Sequence, residues 1–232
     1  MTRLTLPVLA LCVLFPNPAR PAEPTRPAPI YTLPEDGSWV EYDWIAAGAD
    51  GKQIKGLLRI SCVGRKTSEG VECRWVEIRK EYRAGDQTQR EYRKFLIPEK
   101  AFAAAPTLRD QVRTVIGQDD SAAPLLLSAS RTRDFLNMGF DAPEAVLKEV
   151  RARVKVTTPL GKYEARQVTA RSQSGERLRE YEGWLTADVP FGWARFEVRE
   201  GPRDGPGQTV FTATAVRSGK GAKAEVNEAL AK

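Results

Sequence analysis

Histidine is absent from this 232-residue sequence, and methionine and cysteine are scarce, with two and three copies. Without an imidazole, the chain cannot assemble a Ser–His or Cys–His catalytic pair or a metal site with histidine ligands. It also lacks a glycine-rich phosphate loop and a cysteine cluster with metal-ligand spacing. Carboxylate chemistry, for instance at Asp119 and Asp120, and a serine–lysine pair stay formally open. We expect a protein that is not an enzyme and that binds no cofactor and no metal.

Charge of one sign is not concentrated anywhere in the chain. The formal net charge is +6, and it falls to +4 when the first 22 residues, which contain Arg3 and Arg20 and no acid, are left out. Charged residues make up 28% of the sequence and are scattered along it. This balance is typical of a solvated surface and argues against a nucleic-acid partner.

The N-terminus has the pattern of a cleaved signal peptide over residues 1–22. A short positive start, Met1–Arg3, precedes twelve mostly apolar residues, Leu4–Phe15, and then a helix-breaking stretch of small residues. Twelve residues are too few to span a bilayer as a helix, so the pattern predicts export to the periplasm or the extracellular space. Ala19 and Ala22 both remain candidate cleavage positions. No transmembrane segment is expected after processing.

Cys12 raises the alternative of a lipoprotein anchor. It lies inside the apolar run rather than at its end, and Leu11 stands where a lipobox has a small residue. These two departures disfavour lipidation, and Cys12 is best interpreted as part of the signal-peptide core.

The rest of the chain divides into three parts. Residues 23–36 are proline-rich and polar and predict a linker. Residues 37–217 predict one domain, which is long enough for a hydrophobic core. Residues 218–232 predict a flexible or helical tail.

Short alternating runs separated by turn residues predict an antiparallel sheet made of two meanders. The first meander comprises residues 38–45, 53–63, 71–83 and 89–97, and the second comprises 151–157, 162–172, 177–186, 193–200 and 208–217. In the second meander, Pro159 with Gly161 and Pro190 with Gly192 mark the tight turns. Between the meanders, residues 99–150 predict a helical insertion, with helices near 101–105, 107–116, 130–138 and 145–150.

Cys62 and Cys73 are the two cysteines left after processing. If residues pair around the turn at Lys66–Glu69 so that their numbers sum to 135, Cys62 lies opposite Cys73. Directly opposed residues at a non-hydrogen-bonded position lie about 4.5 Å apart at Cα, which is within disulfide reach. An exported protein also meets an oxidising compartment. We therefore predict a disulfide, with two buried free thiols as the alternative.

All five tryptophans fall on predicted strands. They are Trp39, Trp44, Trp75, Trp184 and Trp193. Large aromatic side chains on a pleated surface most often fill the core. The same residues are also candidates to line an apolar cavity between the sheet and the insertion.

Two segments resemble a known group of proteins. Thr158–Val168 and Gly183–Gly192, with their Thr-Pro-Leu-Gly and Asp-Val-Pro-Phe-Gly corners, are similar to exported bacterial half-barrel domains of the lipoprotein-carrier (LolA/LolB/LppX-like) group, in an uncharacterised branch. The resemblance covers roughly residues 150 to 200 and concerns turns and sheet-facing aromatics. It implies a mainly β (α+β) fold in which a curved antiparallel half-barrel wraps over a short helical insertion and encloses an apolar cavity.

The resemblance and the aromatic strands together predict an exported, non-enzymatic protein of the bacterial cell envelope that binds an apolar or lipidic ligand. The alternative is a structural or interaction module of the envelope whose concavity is filled by its own helices. The sequence leaves the ligand, the partner proteins and the oligomeric state open.

Overall fold

The computed structural model describes residues 32–48, 51–84, 87–103, 111–120, 122–128 and 148–231. Within these ranges, eleven strands and two short helices follow one another along the chain. They are β1 (Trp39–Ala47), β2 (Gln53–Ser68), β3 (Val71–Ala84), β4 (Gln87–Pro98), α1 (Glu99–Ala103), β5 (Thr114–Asp119), β6 (Leu125–Leu126), β7 (Lys148–Thr158), β8 (Gly161–Ser174), β9 (Arg177–Leu185), β10 (Trp193–Pro202), β11 (Gln208–Gly219) and a C-terminal 3-10 helix (Glu228–Leu230).

The strands form a single antiparallel sheet in the order β6-β5-β4-β3-β2-β1-β11-β10-β9-β8-β7. Each meander is a run of neighbouring strands, and the two meanders join where β1 pairs with β11. The outermost strands β6 and β7 do not pair with each other, so the sheet is open. The prediction of a mainly β, antiparallel fold is confirmed, and all nine predicted strands are present.

Strand alternation gives the sheet two different faces. On β1, Val40, Tyr42 and Trp44 point to one side, which we call the apolar face, and Glu41 and Asp43 point to the other, the charged face. The apolar face carries the larger hydrophobic cluster, which extends from β5 to β7. The charged face carries ladders of arginine and glutamate and a smaller cluster around Trp75.

The sheet curls over its apolar face at the β7 end. The backbone N–H of Leu160, in the turn after β7, lies 3.4 Å from the carbonyl oxygen of Ala215 on β11. Those strands are separated in the sheet by β8, β9 and β10. Val156 and Ala215 accordingly belong to the same buried cluster.

The predicted helical content of residues 99–150 is wrong in two described places. α1 occupies Glu99–Ala103, close to the first predicted helix, but the end of the predicted helix 107–116 is β5. The β-branched residues Thr114, Val115 and Ile116 pair with β4, and this pairing outweighs the helix signals at Thr107 and Gly117.

The predicted helix 145–150 also ends in a strand, because Lys148 and Glu149 pair with Thr169 and Val168 on β8. The predicted helical turn at 130–138 lies outside the described residues, and so do the signal peptide and Cys12. None of the helices in the described ranges has the length and the hydropathy needed to cross a membrane.

Candidate functional site

The β2–β3 hairpin does not have the register that the sequence predicts. Cys73 lies opposite Lys66 because the hairpin turns at Glu69 and Gly70, and Cys62 lies opposite Val76 because a β-bulge between Cys62 and Arg65 shifts the pairing by one residue. Gly64 lies in this bulge with φ of 135°, a conformation that side-chain-bearing residues rarely adopt. The shift places Cys62 on the apolar face and Cys73 on the charged face. The predicted disulfide is therefore corrected to two buried free thiols.

Both thiols are buried among groups that do not activate them. The Sγ atom of Cys62 lies 3.6 Å from Arg74 Nη1 and 3.7 Å from Asp36 Oδ1. Burial raises the pKa of Cys62 in spite of the Arg74 guanidinium, and burial likewise raises the pKa of Cys73. A raised pKa reduces the thiolate fraction at neutral pH, so neither cysteine has the environment of a nucleophile.

We expect iodoacetamide to modify Cys62 and Cys73 slowly in the folded protein and completely after unfolding without reductant. Peptide mass spectrometry under non-reducing conditions measures both states. The result that contradicts the structure is a Cys62–Cys73 cross-linked peptide or a pair of thiols that stays unmodified after unfolding.

The five tryptophans do not converge on one cavity. Trp44 and Trp193 lie on the apolar face and Trp39 and Trp75 on the charged face, whereas the ring of Trp184 lies beneath Arg195 and also packs against the apolar-face cluster. Three of the indole rings cover glycines on neighbouring strands, in the pairs Trp39–Gly219, Trp44–Gly56 and Trp193–Gly183. A Cβ atom at any of these glycines would lie 2.1 to 2.8 Å from the ring. Aromatic rings in this position shield the strand where a glycine leaves it uncovered.

The two predicted corners are structural turns. Pro159 and Leu160 connect the opposed residues Thr158 and Gly161, and the Thr158 hydroxyl accepts a hydrogen bond from the Gly161 N–H at 3.3 Å. In the second corner, the Gly192 N–H donates to the Val189 carbonyl at 2.9 Å. Pro190 and Phe191 lie between those residues, and the ring of Phe191 is fully buried.

An open groove of about 390 Å³ lies beside the second corner. Its lining comprises Thr32, Ala152, Arg153, Glu164, Ala165, Arg166, Leu185, Thr186, Ala187 and Asp188. Two arginines and two acids balance one another in this lining, and Arg166 also pairs with Glu149. The groove therefore shows no preference for an anion, a cation or an apolar chain.

A more selective arrangement of side chains lies on the apolar face near the C-terminal end of β1. Trp44, Lys80, Tyr82 and Phe211 lie side by side there, and we call this group the aromatic patch. The rings of Trp44 and Phe211 are stacked with centroids 6.2 Å apart, and Tyr82 meets Trp44 edge-on at 6.4 Å. Lys80 places its Nζ 5.0 Å from the Trp44 centroid and 5.3 Å from the Tyr82 centroid. Lys80, Tyr82 and Phe211 are half-buried, and Trp44 is buried. The patch therefore lies at the edge of the core, where solvent reaches it.

Adjacent strands explain why these residues meet. Trp44 on β1 lies opposite Gly56 on β2, and Gly56 lies opposite Tyr82 on β3. Because Gly56 has no side chain, the Trp44 ring lies over it and reaches Tyr82. The single glycine therefore brings aromatics from alternate strands into contact.

Polar groups in and beside the patch are unevenly satisfied. The Tyr82 hydroxyl donates to Glu91 Oε1 at 2.9 Å, and burial followed by this carboxylate raises the pKa of Tyr82 to about 12. Lys80 lies opposite Glu91 in the ladder, but within the described chain no carboxylate comes within 4.0 Å of its ammonium. The indole N–H of Trp44 and the hydroxyl of Tyr42 are buried and lack a hydrogen-bond partner there.

The charged face is organised differently, because its ions are paired with one another. Glu41 is 4% exposed and contacts three guanidinium groups: Arg217 at 2.8 Å, Arg59 at 3.5 Å and Arg79 at 3.6 Å. A second ladder joins Glu197 with Arg195 and Arg199. Such cross-strand pairs stabilise the sheet and leave little charge for a ligand. In the described ranges, no group of three or more acidic or cysteine side chains is placed to hold a metal ion.

Comparisons with known proteins give no family assignment. No protein-family model matches the chain, and no curated protein matches it. One similar solved structure is a candidate lipoprotein from Parabacteroides distasonis ATCC 8503, with 11% identity and a TM-score of 0.41 over 82% of this chain and 98% of that chain. Another is a candidate exported protein with a YmcC-like fold from Bacteroides fragilis NCTC 9343, with 12% identity and a TM-score of 0.41 over 82% of this chain and 99% of that chain. At these scores the likeness is loose, and the functional argument rests on this chain's own residues.

Proposed function

We propose that this chain is an exported, non-enzymatic protein that binds an amphiphile on the apolar face of its sheet. The apolar part of the ligand lies on the rings of the aromatic patch, and its anionic group lies at Lys80. The observation that supports this most is the half-buried side chain of Lys80, whose ammonium has two aromatic rings beside it and no carboxylate within ion-pairing distance in the described chain. Export is supported by the sequence of residues 1–22.

Desolvation of Lys80 favours an anionic ligand. A partly buried ammonium without a counter-ion loses hydration that the faces of two rings replace only in part. An anionic group of a ligand would replace the rest with a charge-assisted hydrogen bond. The N–H of Trp44 has no acceptor among the described residues, and the hydroxyl of Tyr42 on the same strand face can also donate. Donors that lack an acceptor in this part of the chain favour a carboxylate or a phosphate over a cationic head group.

The apolar surface beside Lys80 favours an acyl chain. Trp44, Tyr82 and Phe211 continue into the large cluster on the apolar face, so an acyl chain on the patch would extend the core rather than form a separate site. We include in the proposal a half-barrel shape of the sheet, whose β7 end curls over this face. Burial of a methylene group contributes about 0.8 kcal/mol, so even a short acyl chain would contribute measurably to affinity.

A second candidate function is an envelope interaction module that holds no ligand. The observation that favours it is the near-complete burial, by the protein's own atoms, of large side chains on the apolar face, including Tyr42, Phe95, Trp193 and Phe196. In that case, the purified protein would show no saturable binding of any amphiphile.

The head group can be tested with a change at Lys80. We expect Lys80→Met to weaken palmitic acid binding about tenfold, which corresponds to about 1.4 kcal/mol, and to leave hexadecanol binding unchanged. Methionine keeps the length of the apolar stem and removes the charge. Displacement of a fluorescent fatty acid measures both affinities.

Lys55→Met is the matched control, because Lys55 is an exposed lysine on the opposite side of β2. Equal weakening by the two substitutions, or equal loss of the acid and the alcohol in Lys80→Met, would contradict the role of Lys80 in recognising the head group.

A further inference from the structure

The C-terminal segment Glu225–Ala231 lies across the charged face, and we call it the strap. Val226 is fully buried there and packs with Cys73, Trp75, Leu96 and Ile116. Ala231 packs against the same cluster, while Leu230 is 59% exposed. The strap therefore inserts one apolar side chain into a groove formed by β3, β4 and β5.

Two buried charges bind the backbone of the strap. The carboxylate of Glu77 accepts hydrogen bonds from the N–H groups of Glu225 and Val226, the latter at 2.9 Å. The ammonium of Lys94 donates to the carbonyl of Val226 at 3.0 Å. Glu77 and Lys94 are opposed residues on β3 and β4, and each is nearly fully buried. Together Glu77 and Lys94 bind the backbone N–H and the carbonyl oxygen of Val226.

One further contact involves a side chain of the strap. Glu225 Oε1 lies 2.8 Å from Arg79 Nη1, at the margin of the groove. The groove thus recognises a bent segment in which an acidic residue precedes a small apolar residue. Trp75 leaves its buried indole N–H without a partner in the described chain, so the strap does not use every donor of the groove. These features are those of a peptide-binding site.

The connector between β11 and the strap is held by few contacts. Gly221 has φ of 82°, the Ala222 N–H donates to the Gly37 carbonyl, and Lys220 forms an exposed ion pair with Glu35. A connector of this kind can change its path without disturbing the sheet. We propose that the groove is also a docking site for the strap of a second copy of this chain, exchanged for the chain's own strap.

The second copy is the occupant that the structure specifies most fully. Its strap has the same acidic and apolar residues, so every contact made within one chain can be made between two. Within one chain, the strap has a high effective concentration at the groove, which favours the closed monomer at low protein concentration. Exchange between two copies becomes favourable when the connector is too short for the strap to reach the groove of its own chain. This inference is independent of the proposed ligand on the apolar face.

A peptide experiment tests the groove. The receptor is the full chain with Val226→Asp, which weakens its own strap, and the probe is a fluorescent peptide with the sequence of residues 222–231. We expect saturable binding by fluorescence anisotropy, at least tenfold tighter than to the unsubstituted chain. The same change to aspartate within the peptide should weaken binding at least tenfold, whereas Leu230→Asp in the peptide should change it less than twofold. Absence of saturable binding, or equal binding of all three peptides, would overturn the proposal.

A connector deletion tests the exchange between copies. Removal of Lys220 and Gly221 shortens the connector by about 7 Å, and we expect this variant to form a dimer in light-scattering measurements. Adding Val226→Asp to the deletion should return it to a monomer. A folded deletion variant that stays monomeric at all concentrations would contradict the exchange. If the deletion prevents folding, the peptide experiment on the full-length receptor decides.

Discussion

Replacing Glu77 by leucine is expected to lower the free energy of unfolding by about 4 kcal/mol, because it leaves the buried ammonium of Lys94 without the opposite charge on the neighbouring strand. Glu77 is 3% exposed and Lys94 is 4% exposed, so the substitution leaves the Lys94 ammonium buried opposite an apolar residue. The strap also loses the acceptor for two of its backbone N–H groups. Urea denaturation followed by far-ultraviolet circular dichroism measures the change.

The double variant Glu77→Leu/Lys94→Leu is the decisive companion. Replacing two opposed buried charges together by apolar residues often costs little, so we expect the double variant to recover at least half of the loss. Glu81→Leu is the control, because Glu81 is on the same strand face and more exposed. A double variant as unstable as the sum of the single variants would show that the two residues do not act as a pair.

Gly183→Ala is expected to cost about 3 kcal/mol, at the upper end of the range for overpacking a core. A Cβ atom at residue 183 would lie 2.1 Å from the ring of Trp193, which is buried and meets Phe196 edge-on at 5.2 Å. Because that ring has no free space to move into, either the strands or the rotamer must shift. Thermal and urea unfolding both report the effect.

Gly207→Ala is the control for this substitution. A Cβ atom there would meet its nearest neighbour at 3.4 Å, an ordinary contact, and the change should stay within about 0.5 kcal/mol. Combining Gly183→Ala with Trp193→Leu should cost less than the sum of the two single changes, since the smaller side chain removes the clash. Strict additivity would mean that the ring does not press on Gly183.

Much of the sheet was predictable because its signals are local. Alternation on β1 and the Thr158–Gly161 and Asp188–Gly192 corners define strands and turns without reference to distant residues. The failure at residues 114–116 has a tertiary cause. Thr107 and Gly117 have helix-boundary character, but pairing with β4 decides the conformation of β5. Helix signals in a short segment are weak when a free strand edge lies beside it.

The candidate sites were less predictable than the fold. The bulge at Gly64 changes the face of Cys62, and one glycine just after the predicted strand 53–63 was the only signal for it. The aromatic patch needs Lys80, which looks like one charge among many on an alternating strand. The strap has a fainter signal, Val226 in a tail of small and polar residues with one other large apolar residue, Leu230. In each case the deciding contact joins residues far apart in the chain, and no local pattern specifies it.

The most direct test of the central proposal is a titration of the mature wild-type protein, residues 23–232, with a fluorescent C16 to C18 fatty acid. The account predicts saturable binding to one site per chain, displaced by palmitic acid and accompanied by a change in Trp44 fluorescence that is absent in Trp44→Phe. Two results would contradict an amphiphile site at the aromatic patch. One is fluorescence that rises linearly with no saturation, and the other is saturable binding that is the same in wild type, Trp44→Phe and Lys80→Met.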